Sequence, residues 1–362
     1  MPKKYDVSFI HTGDIHLGRR QYGLIKREED FAKSFEWVCE QAIKNKVDFV
    51  IIAGDTFDTR TVNAQTLEYA IKPLYKLEKY NIPVFVIDGN HDRKMYKDKI
   101  GWLEYLHHEG LIKYIEEYDF IEYKGCNIIS LGYNNKINTD EIIYDHENFR
   151  IIMLHAGVEG IIPNMTGCIS KEEIEKIRPY CDYLALGHVH KQYSIDGWIF
   201  NPGSLEHWSI SESGWDGGYY LVDVDIKSKK FITKHVISPK RAMFRYQITP
   251  TDECMAIYDN TNGAIVEITL VGVTEKKPDI ESIKEHFLKR EGNEDTFYIK
   301  IVDKTKRPSS LNSEHSTKDR TDIEREVIDD LTKDDKITDT VLEIKKRIND
   351  DPSELLEVIK NV

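Results

Sequence analysis

Short apolar runs alternate with longer amphipathic stretches along the first two-thirds of the chain. Apolar residues recur at helical spacing in segments 30–44 and 66–80. The apolar runs are strand-sized and rich in aliphatic, β-branched or aromatic residues, at 7–11, 47–53, 84–88, 150–154 and 183–186. Because continuous apolar strands separated by helices are typically buried on both faces, the pattern predicts an α/β fold with a covered sheet.

The pattern of apolar and polar residues changes near residue 241, which predicts a main domain over 1–240. Segments 264–270 and 297–302 alternate like half-exposed strands around a helical segment at 279–290, so 241–302 is predicted to form a small α+β domain. Segment 303–320 is rich in charge and serine and is predicted to be a flexible linker. Apolar residues at helical spacing and capping patterns at Thr321 and Thr340 predict a helical tail over 321–362.

Composition narrows the class of protein. The chain has 362 residues, of which 40% are hydrophobic and 31% charged, which suits two folded domains. Its formal net charge of −13 argues against a general nucleic-acid binder, although bound cations or a basic patch can reverse the field locally. No membrane-spanning or secretory segment is visible. The five scattered cysteines predict neither a disulfide framework nor a zinc ribbon, so a reducing cytoplasm is expected.

Each of the five apolar strands ends in residue types that bind metals. In chain order the clusters are GDIH at 13–16, GDTFD at 54–58, GNHD at 89–92, His155, and GHVH at 187–190. The carboxyl ends of strands in an α/β sheet meet at one crevice, so these clusters should converge. Oxygens of Asp and Asn with nitrogens of His suit divalent first-row metals, and two such ions about 3.5–4 Å apart form a phosphoester-cleaving site.

Each cluster by itself has a more ordinary interpretation. Asp14 and His16 fit a turn, Asn90 to Asp92 fit a hairpin or helix cap, and His155 fits a buried hydrogen-bonded histidine. Their occurrence together, in this order and each at a strand end, predicts a dimetal site.

The motif series resembles the calcineurin-like metallophosphoesterase superfamily. More closely, HTGDIHLG, GNHD followed by Arg93, and GHVH followed by NPGS at 201–204 are similar to the DNA double-strand-break repair nucleases of the meiotic-recombination-eleven/SbcD family. The resemblance covers residues 5–240. It implies two packed β-sheets flanked by helices, a capping domain at 241–302 and an ATPase-binding segment at 321–362.

The resemblance also implies a ligand set. One metal would be held by Asp14, His16, Asp55 and His190, and the other by Asp55, Asn90, His155 and His188, with Asp55 bridging. Mn²⁺ is the implied ion. His91 would assist the leaving group or the transition state, and pairing with Asp92 or another carboxylate is the alternative for it. Asp58 stands where many archaeal and eukaryotic relatives have a second catalytic histidine, and in this it resembles the bacterial SbcD-type enzymes.

Basic residues follow three of the ligand loops and are candidate DNA contacts. They are Arg19, Arg20, Arg60, Arg93 and Lys94. Solvated surface charge is the alternative for each of them.

Two kinds of protein partner are implied as well. Helices near 66–80 and 100–108 would build a homodimer contact through Leu67, Leu74, Leu77, Trp102, Leu103 and Leu106, with ordinary core packing as the alternative. Segment 321–362 would bind an SbcC-like coiled-coil ABC-type ATPase.

The expected activity is 3′–5′ exonuclease on duplex DNA and endonuclease on single strands. The alternatives are a phosphodiesterase for small or cyclic nucleotides and a DNA-end tethering scaffold.

Overall fold

The computed structural model describes residues 5–95, 98–133, 137–142, 147–250 and 259–307, together with 325, 327–328 and 335–346. Residues 308–320 of the predicted linker and most of the predicted tail lie outside this part of the chain. Residues 303–307 of that linker lie within it, where the backbone N–H groups of Lys304 and Lys306 donate to the carbonyls of Leu270 and Gly272. The described residues divide into two compact units. The first is drawn from Met1–Tyr246, Ile257–Thr269 and Glu281–Val302, and the second from Gln247–Ala256, Leu270–Ile280 and Asp303–Val362. The predicted boundaries at 240, 302 and 320 stay predictions.

Strands outnumber helices in the part of the chain that the structure describes. In chain order they are β1 (Val7–Thr12), β2 (Phe49–Ile52), β3 (Val84–Val86), β4 (Lys113–Tyr114), β5 (Phe120–Tyr123), β6 (Cys126–Ser130), β7 (Phe149–Leu154), β8 (Gly157–Val158), β9 (Cys168–Ile169), β10 (Tyr183–Leu186), β11 (Tyr193–Ile195), β12 (Ile199–Asn201), β13 (Gly218–Asp225), β14 (Lys230–Ile237), β15 (Met243–Ile248), β16 (Ile265–Leu270) and β17 (Tyr298–Asp303). The α-helices are α1 (Ile25–Asn45), α2 (Ala64–Lys79), α3 (Trp102–His108), α4 (Lys171–Glu175), α5 (Ile280–Leu288) and α6 (Asp335–Lys346). Short 3-10 helices occupy Gln21–Gly23, Thr139–Glu141, Arg178–Tyr180 and Ile210–Glu212.

Two six-stranded sheets carry the five motif strands. Their orders are β14-β13-β1-β2-β3-β4 and β11-β12-β10-β7-β6-β5. The motif strands run parallel to their motif-bearing neighbours, β1 to β2 to β3 in the first sheet and β7 to β10 in the second. The apolar runs predict a covered sheet without fixing whether one or two sheets are present, and the two-sheet arrangement implied by the resemblance is confirmed. A strand buried between sheet and helices has the same unbroken apolar pattern in both arrangements, so the pattern cannot separate them.

Aromatic side chains fill the space between the two sheets. Phe9 of β1 stacks on Phe49 of β2 at 4.9 Å between ring centroids and meets the edge of Tyr183 of β10 at 5.5 Å. All three side chains are completely buried. This inner layer fixes the two sheets to each other and brings the carboxyl ends of β1 and β10 together.

Helices α1 and α2 cover the outer face of the first sheet. The leucines predicted for a homodimer contact are largely used here, since Leu74, Leu77, Leu103 and Leu106 are buried in the chain's own core. Ordinary core packing is thus the correct interpretation for these four. Exposed apolar side chains on the same part of the chain include Tyr75, Tyr80 and Ile100, at 47%, 63% and 46% exposure.

The sequence patterns missed the long hairpin of β13 and β14. It pairs antiparallel with β1, with Phe9 opposite Val222, and extends the first sheet. In β14, exposed and half-buried positions alternate, as in a strand at the edge of a sheet. The hairpin places the chain that precedes it, residues 202–217, beside the carboxyl end of β1.

In the smaller sheet, β15, β16 and β17 lie in that order, and helix α5 occurs where segment 279–290 predicts it. The capping pattern at Thr340 is wrong as a helix start, because α6 begins at Asp335 and Thr340 lies inside it. Among the described helices none has the length and apolarity needed to cross a bilayer.

His11 provides a test of the inter-sheet packing. Its Nδ1 lies 2.9 Å from the Tyr183 hydroxyl and its Nε2 lies 3.0 Å from the Leu186 carbonyl oxygen. Burial lowers the pKa of His11 from 6.5 to about 3. The folded-state pKa lies below the unfolded one, so the neutral ring stabilises the fold above pH 6.5 and this contribution is lost as the pH falls toward 3.

Between pH 6.5 and about pH 3, we expect the free energy of unfolding to fall by about 1.4 kcal/mol for each pH unit of acidification because of His11. Urea unfolding of the metal-free protein between pH 7 and pH 4 measures it against the double variant H11F/Y183F, which lacks the titrating ring. Parallel pH profiles for the two proteins would show that His11 does not titrate in the core.

Candidate metal centre

The loops after β1 and β2 pair with each other at the strand ends. The backbone N–H groups of Ile15 and Leu17 donate to the carbonyls of Asp55 and Thr56, each at 2.9 Å. Asp14, His16 and Asp55 have φ angles of 50°, 51° and 51°, in the left-handed region that side chains other than glycine rarely adopt. Such a backbone persists only where its surroundings hold it, and it turns these side chains inward.

The predicted ligand side chains converge in one place. Three sets offer ligand atoms that all lie within 4.8 Å of one another: Asp14, His16 and His190; Asp14, Asp55 and His155; and His16, Asp55 and His91. The two remaining predicted ligands, Asn90 and His188, also lie at the cluster. Asn90 Oδ1 lies 3.2 Å from His155 Nε2 and 3.2 Å from His188 Nδ1. Both sheets therefore contribute to one cluster.

Each of three histidines has one ring nitrogen directed at an acceptor outside the cluster. His155 Nδ1 donates to the Ala53 carbonyl at 2.7 Å, His188 Nε2 to the Thr166 carbonyl at 2.8 Å, and His190 Nδ1 to Glu212 Oε1 at 2.9 Å. When the ring is neutral, the other nitrogen carries the lone pair. In each case that nitrogen faces the cluster, which is how metal-ligating histidines are held in proteins.

Two details show that the cluster suits a cation. His16 Nε2 and His190 Nε2 face each other at 3.0 Å, an arrangement that two lone pairs tolerate only with a proton or a metal ion between or beside them. Asp14 Oδ2 is buried with no hydrogen-bond partner in the described part of the chain. An orphaned carboxylate oxygen in a buried site is costly unless a positive charge compensates it.

The protonation behaviour of the cluster shows how strongly its charges interact. Burial would raise the pKa of Asp55, but His155, His16 and His91 hold it well below its usual range. Burial would lower the pKa of His155, but the Asp55 carboxylate raises it to about 9. Protons on histidine thus balance the carboxylates, and a metal ion would have to displace them, so binding should release protons.

Glycines make room at two contacts. A Cβ on Gly54, whose φ is 88°, would lie 2.3 Å from His155 Nδ1, and one on Gly89 would lie 2.0 Å from Asp55 Oδ1. Neither neighbour can move without leaving the cluster. The glycines of the GDTFD and GNHD motifs are therefore required by close packing.

His91 lies at the cluster but is held differently from the other histidines. Its backbone N–H donates to Asp55 Oδ1 at 2.9 Å, and its Nδ1 lies 2.5 Å from the Asp58 carbonyl oxygen. The alternative pairing of His91 with Asp92 does not occur in the described hydrogen bonds. Asp92 instead accepts backbone N–H groups of Thr56, Phe57 and Gly89 at 3.0, 2.9 and 3.2 Å.

Burial, together with the Asp55 carboxylate, raises the pKa of Asp92 to about 8. The role of Asp92 is to fix the loop after β2 against the loop after β3.

Most of the candidate DNA contacts lie against acceptors of their own chain. Arg20 pairs with Glu28 at 2.5 Å, Lys94 pairs with Glu104 at 2.9 Å, and Arg93 donates to the Tyr133 carbonyl at 2.8 Å. Arg19 lies over the Trp208 ring at 3.6 Å, and Arg60 is exposed. Their roles toward phosphate stay predictions.

Sequence motifs missed the groups behind the histidines. Glu212, Trp208 and the Thr166 carbonyl follow no strand end that carries a motif. Glu212 lies 22 residues beyond His190. No local spacing signals such partners, because the fold of segment 202–217 decides the positions of Glu212 and Trp208, and the loop between β8 and β9 carries Thr166.

Two packed sheets with a cluster of Asp, Asn and His side chains at their strand ends define a metal-dependent hydrolase. The model of the calcineurin-like phosphoesterase family matches residues 7–192, and the chain belongs to this family. Its members use a dimetal centre.

Three relatives illustrate the similarity. The DNA double-strand break repair protein Mre11 of Archaeoglobus fulgidus is 31% identical over 233 residues, covering 57% of this chain and 52% of that protein. The protein of the same name from Methanocaldococcus jannaschii is 28% identical, covering 68% of this chain and 74% of that protein. The uncharacterized metallophosphoesterase YhaO of Bacillus subtilis is 29% identical, covering 60% and 58%. The chain spans about half the length of the first of these relatives.

Proposed function

We propose that this chain is a metal-dependent DNA nuclease that processes double-strand-break ends with two divalent ions, Mn²⁺ in the cell. The observation that carries the proposal is the convergence of seven Asp, Asn and His side chains from both sheets, with histidine lone pairs directed at one another. Similarity to Mre11 proteins supports DNA as the substrate.

Contacts within the cluster support the proposed ligand assignment. Asp14, His16 and His190 would hold one ion, and Asn90, His155 and His188 the other. Asp55 lies 3.8 Å from His16 Nε2 and 3.3 Å from His155 Nε2, which suits a carboxylate shared by both. The ions, when bound, would supply an activated water and neutralise charge on the phosphate oxygens.

His91 is proposed to serve the leaving group. The Nδ1–H group of His91 donates a hydrogen bond to the Asp58 carbonyl oxygen. Only a proton at Nε2 is therefore available for transfer to a departing oxygen. The backbone bond to Asp55 keeps this ring beside the cluster. Arg93 and Lys94, in the same loop and about half exposed, are proposed to contact the phosphates that flank the scissile one.

The activity is tested by incubating the protein and Mn²⁺ with end-labelled duplex, hairpin and single-stranded DNA. The expected result is 3′–5′ shortening of duplex ends and internal cleavage of single strands. Inhibition of nitrophenyl phosphodiester hydrolysis by DNA ends separates a nuclease from a phosphodiesterase for small or cyclic nucleotides. Hydrolysis of the small ester with no competition by DNA would contradict the proposal.

We further propose that two copies associate near α2 and α3, where Tyr75 and Ile100 are exposed, and that segment 321–362 binds an SbcC-like coiled-coil ABC-type ATPase. In that segment the structure describes α6, a helix of 12 residues, and Val341 on it is 39% exposed. A helix of this length is marginal in water without a packing partner.

Deletion of residues 321–362 is expected to abolish co-elution with the ATPase while leaving Mn²⁺-dependent cleavage of single-stranded DNA nearly unchanged. Size-exclusion chromatography at low micromolar concentration measures the first effect, and the cleavage assay measures the second. Retained co-elution would show that the main contact lies elsewhere. Loss of the thermal unfolding transition would show that the segment belongs to the core.

A further inference from the structure

Trp208 lies beside the two imidazoles that face each other in the cluster. The centroid of its indole ring is 6.4 Å from that of His16 and 6.2 Å from that of His190. It belongs to segment 202–217, between β12 and β13, which carries none of the motifs at the ends of the five strands. No role follows for it from the ligand set itself.

A carboxylate lies behind each of these imidazoles. Glu212 Oε1 accepts from His190 Nδ1 at 2.9 Å, and Asp58 Oδ1 lies 3.5 Å from His16 Nδ1. Both carboxylates are buried, with 6% and 7% of the residue exposed. A carboxylate that accepts from a ligating histidine, as Glu212 does, fixes its tautomer and orientation and makes it a stronger ligand. Asp58 forms no hydrogen bond with His16 Nδ1 and acts on that ring as a nearby negative charge.

Trp208 donates a hydrogen bond to both carboxylates. Its backbone N–H donates to Glu212 Oε2 at 2.8 Å, and its indole Nε1–H donates to Asp58 Oδ1 at 2.9 Å. The second bond reaches the same oxygen that faces His16. One residue therefore ties together two carboxylates that belong to distant parts of the chain.

Arg19 holds the indole from its other side. Its guanidinium carbon lies 3.6 Å from the centroid of the Trp208 ring, and its Nη1 lies 3.6 Å from Asp58 Oδ2. Stacking of this kind is attractive and restrains rotation of the ring. We refer to Trp208, Arg19, Asp58 and Glu212 together as the Trp208 bracket.

We propose that Trp208 is a positioning residue that fixes His16 and His190 for one metal position through Asp58 and Glu212. This inference rests on the proposed function, since it takes the two histidines as ligands of one ion. Trp208 acts through the carboxylates and touches no reacting atom. The bracket also gives Asp58 and Arg19 a structural use at the cluster, in addition to any contact of Arg19 with DNA.

The test is W208F in the full-length protein. Phenylalanine keeps the backbone bond to Glu212 and a ring beneath Arg19, but it removes the Nε1–H donor to Asp58. Calorimetric titration with Mn²⁺ measures each binding step, and anomalous scattering from crystals soaked at increasing Mn²⁺ concentration assigns each step to its histidines. We expect about tenfold weaker binding at the position beside His16 and His190, and no change at the position beside His155 and His188.

A matched control is W198F. Trp198 is buried and also lies under an arginine, with Arg178 Cζ 4.8 Å from its ring centroid, but it packs in the core outside the cluster. Its replacement lowers stability without altering the bracket, so neither Mn²⁺ step should change. A loss of affinity in W198F equal to that in W208F would overturn the proposal, because general destabilisation would explain both.

A double-mutant cycle with D58A tests the route of the effect. If Trp208 acts on His16 through Asp58, adding W208F to D58A should cause no further loss of Mn²⁺ affinity. Unchanged affinity in W208F alone, or additive losses in the double variant, would overturn the proposal. Two intact Mn²⁺ steps in a wild-type protein that does not cleave DNA would refute the proposed function and leave the bracket standing. A wild-type protein that binds no Mn²⁺ would refute both.

Discussion

Replacement of His91 by serine is expected to lower Mn²⁺-dependent DNA cleavage by about 10²–10⁴-fold while both ions remain bound. The imidazole is lost, but the backbone N–H that donates to Asp55 at 2.9 Å is retained, so the carboxylate at the centre of the cluster keeps its position. Cleavage of end-labelled DNA gives the rate, and anomalous scattering or calorimetry gives the number of ions.

This result would separate two roles that the geometry allows. His91 also belongs to a set, with His16 and Asp55, whose ligand atoms lie within 4.8 Å of one another, so it could itself bind an ion. Loss of one ion in H91S would assign it to the ligands and remove the proposed proton transfer. H286S is the matched control, because His286 is exposed on α5 and its replacement should change neither cleavage nor metal content.

Replacement of Asp55 by asparagine is expected to have the largest effect on metal binding. Asp55 lies near histidines of both proposed metal positions, at 3.8 Å from His16 Nε2 and 3.3 Å from His155 Nε2. Loss of its charge should weaken Mn²⁺ binding at both positions by at least about 100-fold and remove detectable cleavage. Calorimetry with Mn²⁺ and the DNA assay measure the two effects.

The same variant has a consequence that needs no metal. The Asp55 carboxylate opposes the effect of burial and raises the pKa of His155 to about 9, so in D55N that pKa should fall. Titration of the histidine ring resonances in the metal-free protein measures this. The control is D196N, since Asp196 is exposed and shares the φ angle of 51° that Asp55 has. An unchanged His155 pKa in D55N would show that the two groups do not interact as the structure places them.

The chemistry of the cluster was largely predictable from the sequence. Each ligand-bearing motif follows directly on an apolar strand, and strands such as β1 and β2 end within a residue or two of where the apolar runs end. Ligand type is a property of the side chain, and position at a strand end is a property of local sequence. Asp14, Asp55 and His155 could therefore be assigned to one crevice before any tertiary contact was known.

The bracket behind two of the histidines was not predictable in this way. Asp58 and Trp208 are 150 residues apart, and neither has a neighbour that marks it as a partner of the other. Their contact depends on the hairpin of β13 and β14, which joins the first sheet antiparallel to β1 and places the preceding segment at the cluster. Strand pairing across such separations follows from register and packing, which one-dimensional periodicity does not encode.

The sequence by itself determined which side chains could bind metal, which strands present them and the order in which they occur. Tertiary structure decided that two sheets rather than one present them, because Phe9 and Tyr183 pack between sheets that the apolar runs could not distinguish. It also decided which nitrogen of each histidine faces the cluster. That choice depends on an acceptor behind the ring, such as Glu212 for His190 or the Thr166 carbonyl for His188, and only folding brings those acceptors within hydrogen-bond distance.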